Sequence, residues 1–134
     1  MGSEMCIRDR DEDSIKIRIP FRRKTKNHLN SMYFGALAVG ADLAAGLLAF
    51  HLIGVSKKKV QLIFKSMDAQ FLKRVEDDAL FVCDEGKEIQ DLVNHAIESK
   101  ERVTKFFTVK VLVPKKLGDE PAAIFKMELS LKAK

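Results

Sequence analysis

The sequence predicts one α+β domain in which a single antiparallel sheet covers a long apolar helix. Three observations carry this. Several stretches alternate apolar and polar residues with period two, residues 32–53 are apolar almost all round, and residues 85–100 place apolar side chains at helical spacing. At 134 residues and 46% hydrophobic content, the chain has the length of one domain and enough apolar material for a core.

Residues 14–21 read SIKIRIPF, with Ile15, Ile17 and Ile19 set against Lys16 and Arg18: a half-exposed strand stopped at Pro20. A polar connector follows over 22–31, and Asn30 or Ser31 is placed to cap the next element. The apolar segment from Met32 to Ile53 is then a helix. Residues 57–74 are strand-like, with Val60, Leu62 and Phe64 on one face; the alternation falters near Ser66 and Met67, which predicts a bulge. A short turn leads to the next strand over 75–84. In 85–100, Ile89, Leu92, Val93, Ala96 and Ile97 line one side of an amphipathic helix. Residues 101–114 alternate again, with Val103, Lys105, Phe107, Val109, Val111 and Val113 on one side. After the turn KKLGDEP, Ala123, Phe125, Met127, Leu129 and Leu131 mark one face of the last strand. Strands that follow one another over short turns pair antiparallel, so about five strands make one sheet.

The opening MGSEMCIRDRDED matches nothing that follows in pattern and is too charged for a secretory signal. Residues 1–13 are therefore expected to be a non-native or disordered lead, and the domain to occupy 14–134. The net charge of +5 is spread along the chain, with clusters at Arg22-Arg23-Lys24 and Lys57-Lys58-Lys59. No basic stretch is interleaved with aromatics, so nucleic acid is not an expected partner, whereas small phosphorylated ligands are compatible with the charge. Two cysteines, Cys6 and Cys83, give no disulfide framework and no metal-ligand spacing. Cys83 ends the run ALFVC and reads as a buried thiol in a reducing cytoplasm. His28, His51 and His95 have no metal-site spacing, so no metal is expected. His51 closes the apolar helix, where it suits the negative end of the dipole.

The apolar segment is long enough to cross a bilayer, which has to be weighed. Asp42 stands near its middle, where insertion costs about 2.5–3.5 kcal/mol. Basic clusters flank both ends, and the sheet needs an apolar partner for its inner face. A buried core helix, with no membrane span, is the expectation. On a helical wheel, Ser31, Gly35, Ala38, Val39, Ala45, Gly46 and Ala49 lie within about 60° of Asp42, while Leu37, Leu47 and Leu48 lie opposite. One side is bulky and suited to a sheet. The other is low in relief, carries the only charge, and lets a second backbone or a slender ligand approach. A lone carboxylate there either fixes packing through a neighbouring loop or acts as a base or nucleophile.

The residues RIPFRRKTKNHLNSMYFGALAVGADLAAG and the later LGDEP resemble a hotdog-fold family of unknown function, related to the phenylacetyl-CoA thioesterase-like hotdogs. The resemblance covers about residues 14–132. It implies an antiparallel sheet wrapped around one long helix, and activity toward acyl thioesters, acyl-CoA foremost, with coenzyme A as part of the substrate and no other cofactor. In the characterised thioesterases a loop Asn precedes a helix Asp by fifteen positions, as Asn27 precedes Asp42 here. Their His-Gly-Gly at the helix entrance aligns with Tyr33-Phe34-Gly35, of which only the last glycine is kept.

Thioester hydrolysis needs an activated water or a carboxylate nucleophile beside a carbonyl held by donors. Unpaired N–H groups near Phe34 and Gly35, at the positive end of a helix, are natural oxyanion donors. Gly35 and Asp42 lie about 10 Å apart along one helix, too far to share a carbonyl. The resemblance supplies the resolution: hotdog sites form at a dimer interface, so Asp42 of one chain faces Gly35 and Asn27 of another. The expected catalytic residues are Asp42, Asn27 and Gly35. Tyr33, Phe34 and His28 are expected to contact substrate, with Lys58 and Lys59 meeting the coenzyme phosphates. The assembly expected is a homodimer or a tetramer. The alternative is a non-catalytic hotdog domain that binds acyl-CoA or acyl chains, which the Tyr33-Phe34 departure favours.

Overall fold

The computed structural model describes residues 6–10, 14–22, 25, 27–28, 31–32 and 34–134. In chain order its elements are β1 (Cys6–Arg10), β2 (Ile15–Ile19), α1 (Phe34–Ser56), β3 (Val60–Phe71), β4 (Ala79–Cys83), α2 (Gly86–Ser99), β5 (Val103–Leu112), the single-turn α3 (Pro114–Leu117) and β6 (Pro121–Ala133). The strands form one six-stranded sheet in the order β1-β2-β4-β5-β6-β3, antiparallel throughout. Five are the expected strands; β1 adds an edge from within the segment set aside in the sequence.

Of the predicted inner faces, those of β2 and β6 are buried and that of β5 is buried from Phe107 on, whereas Val60, Leu62 and Phe64 on the edge strand β3 stay partly open. Ile15, Ile17 and Ile19 on β2, Phe81 on β4, Phe107, Val109 and Val111 on β5, and Phe125, Met127, Leu129 and Leu131 on β6 form a continuous apolar surface. Leu37, Leu48 and Leu52 of α1 settle onto that core, and Ile89, Leu92, Val93 and Ala96 of α2 join it. α1 passes the length and composition test for a membrane span, with 61% of its apolar window buried within the protein. Its apolarity serves the sheet on one side.

Two glycines let α1 sit this close. A Cβ at Gly40 would lie 2.4 Å from the Phe81 ring, and one at Gly46 would lie 3.2 Å from the Phe64 ring. The small-residue side of the helix is thus divided. Ala45 and Ala49 are buried in the core and Gly46 lies under Phe64, while Gly35, Ala38, Val39 and Asp42 remain at least partly open.

The bulge expected near Ser66 is present, the register shifting between Phe64 and Ser66 with Lys65 as the extra residue. Two other expectations are corrected. α1 runs on to Ser56, so His51 lies inside it rather than at its end. Ser56 closes the helix by donating its hydroxyl to the Ile53 carbonyl at 2.6 Å, after which Lys57 turns with φ 59°. The largest difference is topological: β3 and β4 do not form a hairpin. β3 pairs only with β6, and β4 lies between β2 and β5. Crossing from β3 to β4 takes three strand spacings, about 14 Å, and residues 72–78 are long enough to span that. They have backbone partners of their own: the Leu72 and Lys73 amides donate to the Ala122 carbonyl, and Met32 N–H donates to the Val75 carbonyl at 2.7 Å. Val75 is buried in passing.

Candidate active site

β3 is an edge strand, and by its register Phe64, Met67, Ala69 and Phe71 face the same side as Leu129, Met127, Phe125 and Ala123. That is the side of α1. The contacts between Phe34 and Phe71, and between Gly46 and Phe64, show the two elements running antiparallel along a seam. Beyond β3 the sheet has no further strand among the described residues, and the seam is open there. It holds two hollows.

The first lies at the start of α1. It encloses about 470 Å³ and is lined by Asn27, Ser31, Met32, Phe34, Leu37, Phe71, Leu72, Lys73, Arg74 and Val75. Phe34 is 58% exposed and meets Phe71 edge-on at 5.5 Å; Phe71 meets Phe125 in the same manner at 5.8 Å. Asn27 is folded onto its own loop: its Oδ1 accepts from the Ser31 amide at 3.1 Å, and its backbone N–H donates to the Ser31 carbonyl at 2.6 Å. The Arg74 guanidinium donates from Nε to Ser31 Oγ at 2.8 Å. Lys73 pairs with Glu120 at 2.5 Å.

The second hollow, about 480 Å³, lies further along α1 and is lined by Ala38, Val39, Asp42, Phe64, Lys65, Ser66, Met67 and Met127. The Asp42 carboxylate has no hydrogen-bond or ion-pair partner among the described residues, and burial raises its pKa above the ordinary 3.8. Asp42 is exposed on one side, but the apolar flank of Val39, Phe64 and Met67 disfavours its charged form, and no donor among the described residues offsets this. The packing role considered for Asp42, as an acceptor for a neighbouring loop, therefore finds no partner among the described residues.

Asn27, Phe34 and Gly35 are thus gathered at the start of α1, with Asp42 two turns along. His28 lies exposed on the connector. Tyr33 lies outside the described residues. Lys58 and Lys59 are exposed at the opposite end of α1, about 33 Å from Phe34. The single-sequence reading missed Arg74 and Lys73, as well as the walls that Phe64, Met67 and Phe71 provide. Nothing local marks FLKR as a neighbour of Asn27, because the crossover from β3 to β4 makes the contact. Among the described residues no cluster of His, Cys, Asp or Glu is arranged to hold a metal ion. Cys83 is buried, and desolvation pushes its pKa to about 12, which makes it an inert core thiol.

A family model described as "Domain of unknown function (DUF4442)" matches residues 2–128. The chain belongs to this family. The match begins inside the opening segment that the sequence pattern set apart. No curated protein matches the chain. Among solved structures, PA5026 from Pseudomonas aeruginosa, a protein of unknown function, superposes with a TM-score of 0.81 at 20% identity, covering 99% of this chain and 85% of its own. The Staphylococcus aureus thioesterase SAV0944 superposes at 0.70 and 16% identity, covering 96% of this chain and 93% of its own. The Haemophilus influenzae thioesterase HI1161 superposes at 0.70 and 10% identity, covering 96% and 78%. SAV0944 is known in two variants, one with a glutamine and one with a glutamate changed to alanine, at positions fifteen residues apart. This DUF4442 member therefore has the hotdog fold, its sheet wrapped about α1 as the resemblance implied.

Proposed function

We propose that this DUF4442 member hydrolyses small-molecule acyl thioesters, acyl-CoA esters foremost, at a cytoplasmic site shared by two copies of the chain. The observation that carries the reading is the Asp42 carboxylate, without a partner among the described residues and set beside Val39, Phe64 and Met67 on an open seam. The fifteen-residue spacing of Asn27 and Asp42, equal to that of the two altered positions in SAV0944, supports it.

In this reading Asp42 takes a proton from a water molecule as its oxygen adds to the thioester carbon. The oxyanion is met by N–H groups near Gly35 and by the Asn27 amide of the partner. Collapse breaks the C–S bond, and the proton passes to the departing thiolate, giving an acid and a thiol. Asp42 acting instead as nucleophile would form a mixed anhydride that water then opens. Phe34, Phe71, Phe64 and Met67 provide apolar surface for the acyl group. His28 contacts the substrate in this reading, and Tyr33, next to Phe34 in the sequence, is assigned the same role. Lys58 and Lys59 offer charge to coenzyme phosphates reaching the far end of α1. A homodimer, alone or doubled into a tetramer, closes the seam.

The second reading is a binding domain without turnover. Phe34 favours it, standing against Phe71 where the characterised enzymes have glycine. A panel of acyl-CoA esters assayed with wild type and Asp42→Asn decides. Hydrolysis lost on substitution, with binding retained, supports the enzyme. Saturable binding without wild-type turnover supports the binder.

A further inference from the structure

The geometry points to Arg74 as a positioning residue that sets the Asn27 side chain through Ser31. Three connections carry this. Arg74 Nε donates to Ser31 Oγ at 2.8 Å, the Ser31 amide donates to Asn27 Oδ1 at 3.1 Å, and the Asn27 amide returns to the Ser31 carbonyl at 2.6 Å. Ser31 is buried, so the donor it meets is part of how its hydroxyl is satisfied rather than a chance surface contact. With Oδ1 held, the plane of the Asn27 amide is set, and with it the direction of Nδ2 in the entrance hollow that Asn27 lines.

Two hydrogen bonds among the described residues tie the segment to the crossover. The main-chain bond from Met32 to Val75 anchors the backbone, and the Arg74 bond anchors the Ser31 side chain one residue earlier. Removing Arg74 leaves the first tie in place, so the fold survives while the loop loses its second restraint. Lysine at this position keeps charge and a donor but not the planar Nε–H geometry, and is expected to restore only part of the effect.

The proposal rests on the thioesterase reading for what the positioning serves, and its test separates the two. Wild type, Arg74→Met, Arg74→Lys and Asn27→Ala are assayed on an acyl-CoA and on the matching acyl-N-acetylcysteamine thioester, which lacks phosphates. Arg74→Met should lower kcat about 10- to 100-fold on both substrates with KM nearly unchanged, as expected for a misplaced catalytic group. Arg74→Lys should recover part of that, and Arg74→Met should cost little more in an Asn27→Ala background. A rise in KM confined to the CoA ester would make Arg74 a phosphate contact and overturn the proposal, as would additive losses with Asn27→Ala. If wild type hydrolyses neither ester, the thioesterase reading fails, and the side-chain amide resonances of Asn27 give the answer. Displacement of those resonances in Arg74→Met and Ser31→Ala supports the positioning role, and unmoved resonances refute it.

Discussion

The ring of Phe81 ends against the backbone of Gly40, so closely that a Cβ there would lie 2.4 Å from its Cζ. Phe81 is fully buried on β4, and Gly40 is buried on α1. Glycine inside a helix costs roughly 0.5–1 kcal/mol relative to alanine. Gly40→Ala should nevertheless destabilise the protein, since overpacking costs about 1–3 kcal/mol and outweighs the propensity gain. Urea denaturation measures this. Adding Phe81→Leu should cost less in the Gly40→Ala background than alone.

Asp42→Asn should leave the fold intact, because the carboxylate has no partner among the described residues to lose. If Asp42 is the base, thioester turnover falls by about 10²–10⁴. Steady-state kinetics alongside a thermal melt checks both parts.

The raised Asp42 pKa fixes the sign of two pH effects. Its base form is lost as pH falls through a value above 3.8, so hydrolysis should decline at higher pH than an ordinary aspartate would require. Between 3.8 and the raised value the folded chain binds more protons than the unfolded one. Asp42 therefore lowers stability as pH rises through that window. Denaturation midpoints of wild type and Asp42→Asn, compared across this range, should diverge in favour of the variant.

Asp78 should behave in the opposite way. Burial pushes its pKa up, but the Phe21 amide, the Arg18 guanidinium and the Lys115 charge outweigh this and hold it below 3.8. Its contribution is complete above 3.8 and is lost as pH falls through the lowered value. The pair is part-buried but still reached and screened by solvent, so Asp78→Asn should cost about 1 kcal/mol at neutral pH. That difference should shrink in acid and in high salt, as urea titrations at several pH values can record.

Val39 is 46% exposed on the seam beside Asp42. If two chains close that seam, Val39→Arg should separate them in sedimentation and abolish thioester turnover together, while each chain stays folded. A monomeric wild type, or a dimer indifferent to this change, would count against the shared site.

The period-two pattern of Ile15, Ile17 and Ile19, or of Phe125 to Leu131, is a local signal, and it identified which faces would be buried. The same holds for α2, whose apolar stripe spans few residues. The place of β4 depends on which strands lie across the sheet, so adjacency in sequence misled there. Asp42 was legible for a related reason: one charge in an apolar run stands out without any knowledge of neighbours. Asn27 drew notice only through its spacing to Asp42 and the family resemblance.

The amino-acid order alone determined five of the six strands, the two long helices, the inner faces of β2 and β6 and the presence of one carboxylate in an apolar run, because propensity and periodicity act over a few residues. Tertiary structure alone decided that β3 ends the sheet beside α1, that Phe64 covers Gly46, and that Arg74 meets Ser31. Those contacts join residues eighteen to forty-three positions apart, and only packing of the whole chain brings such groups within bonding distance.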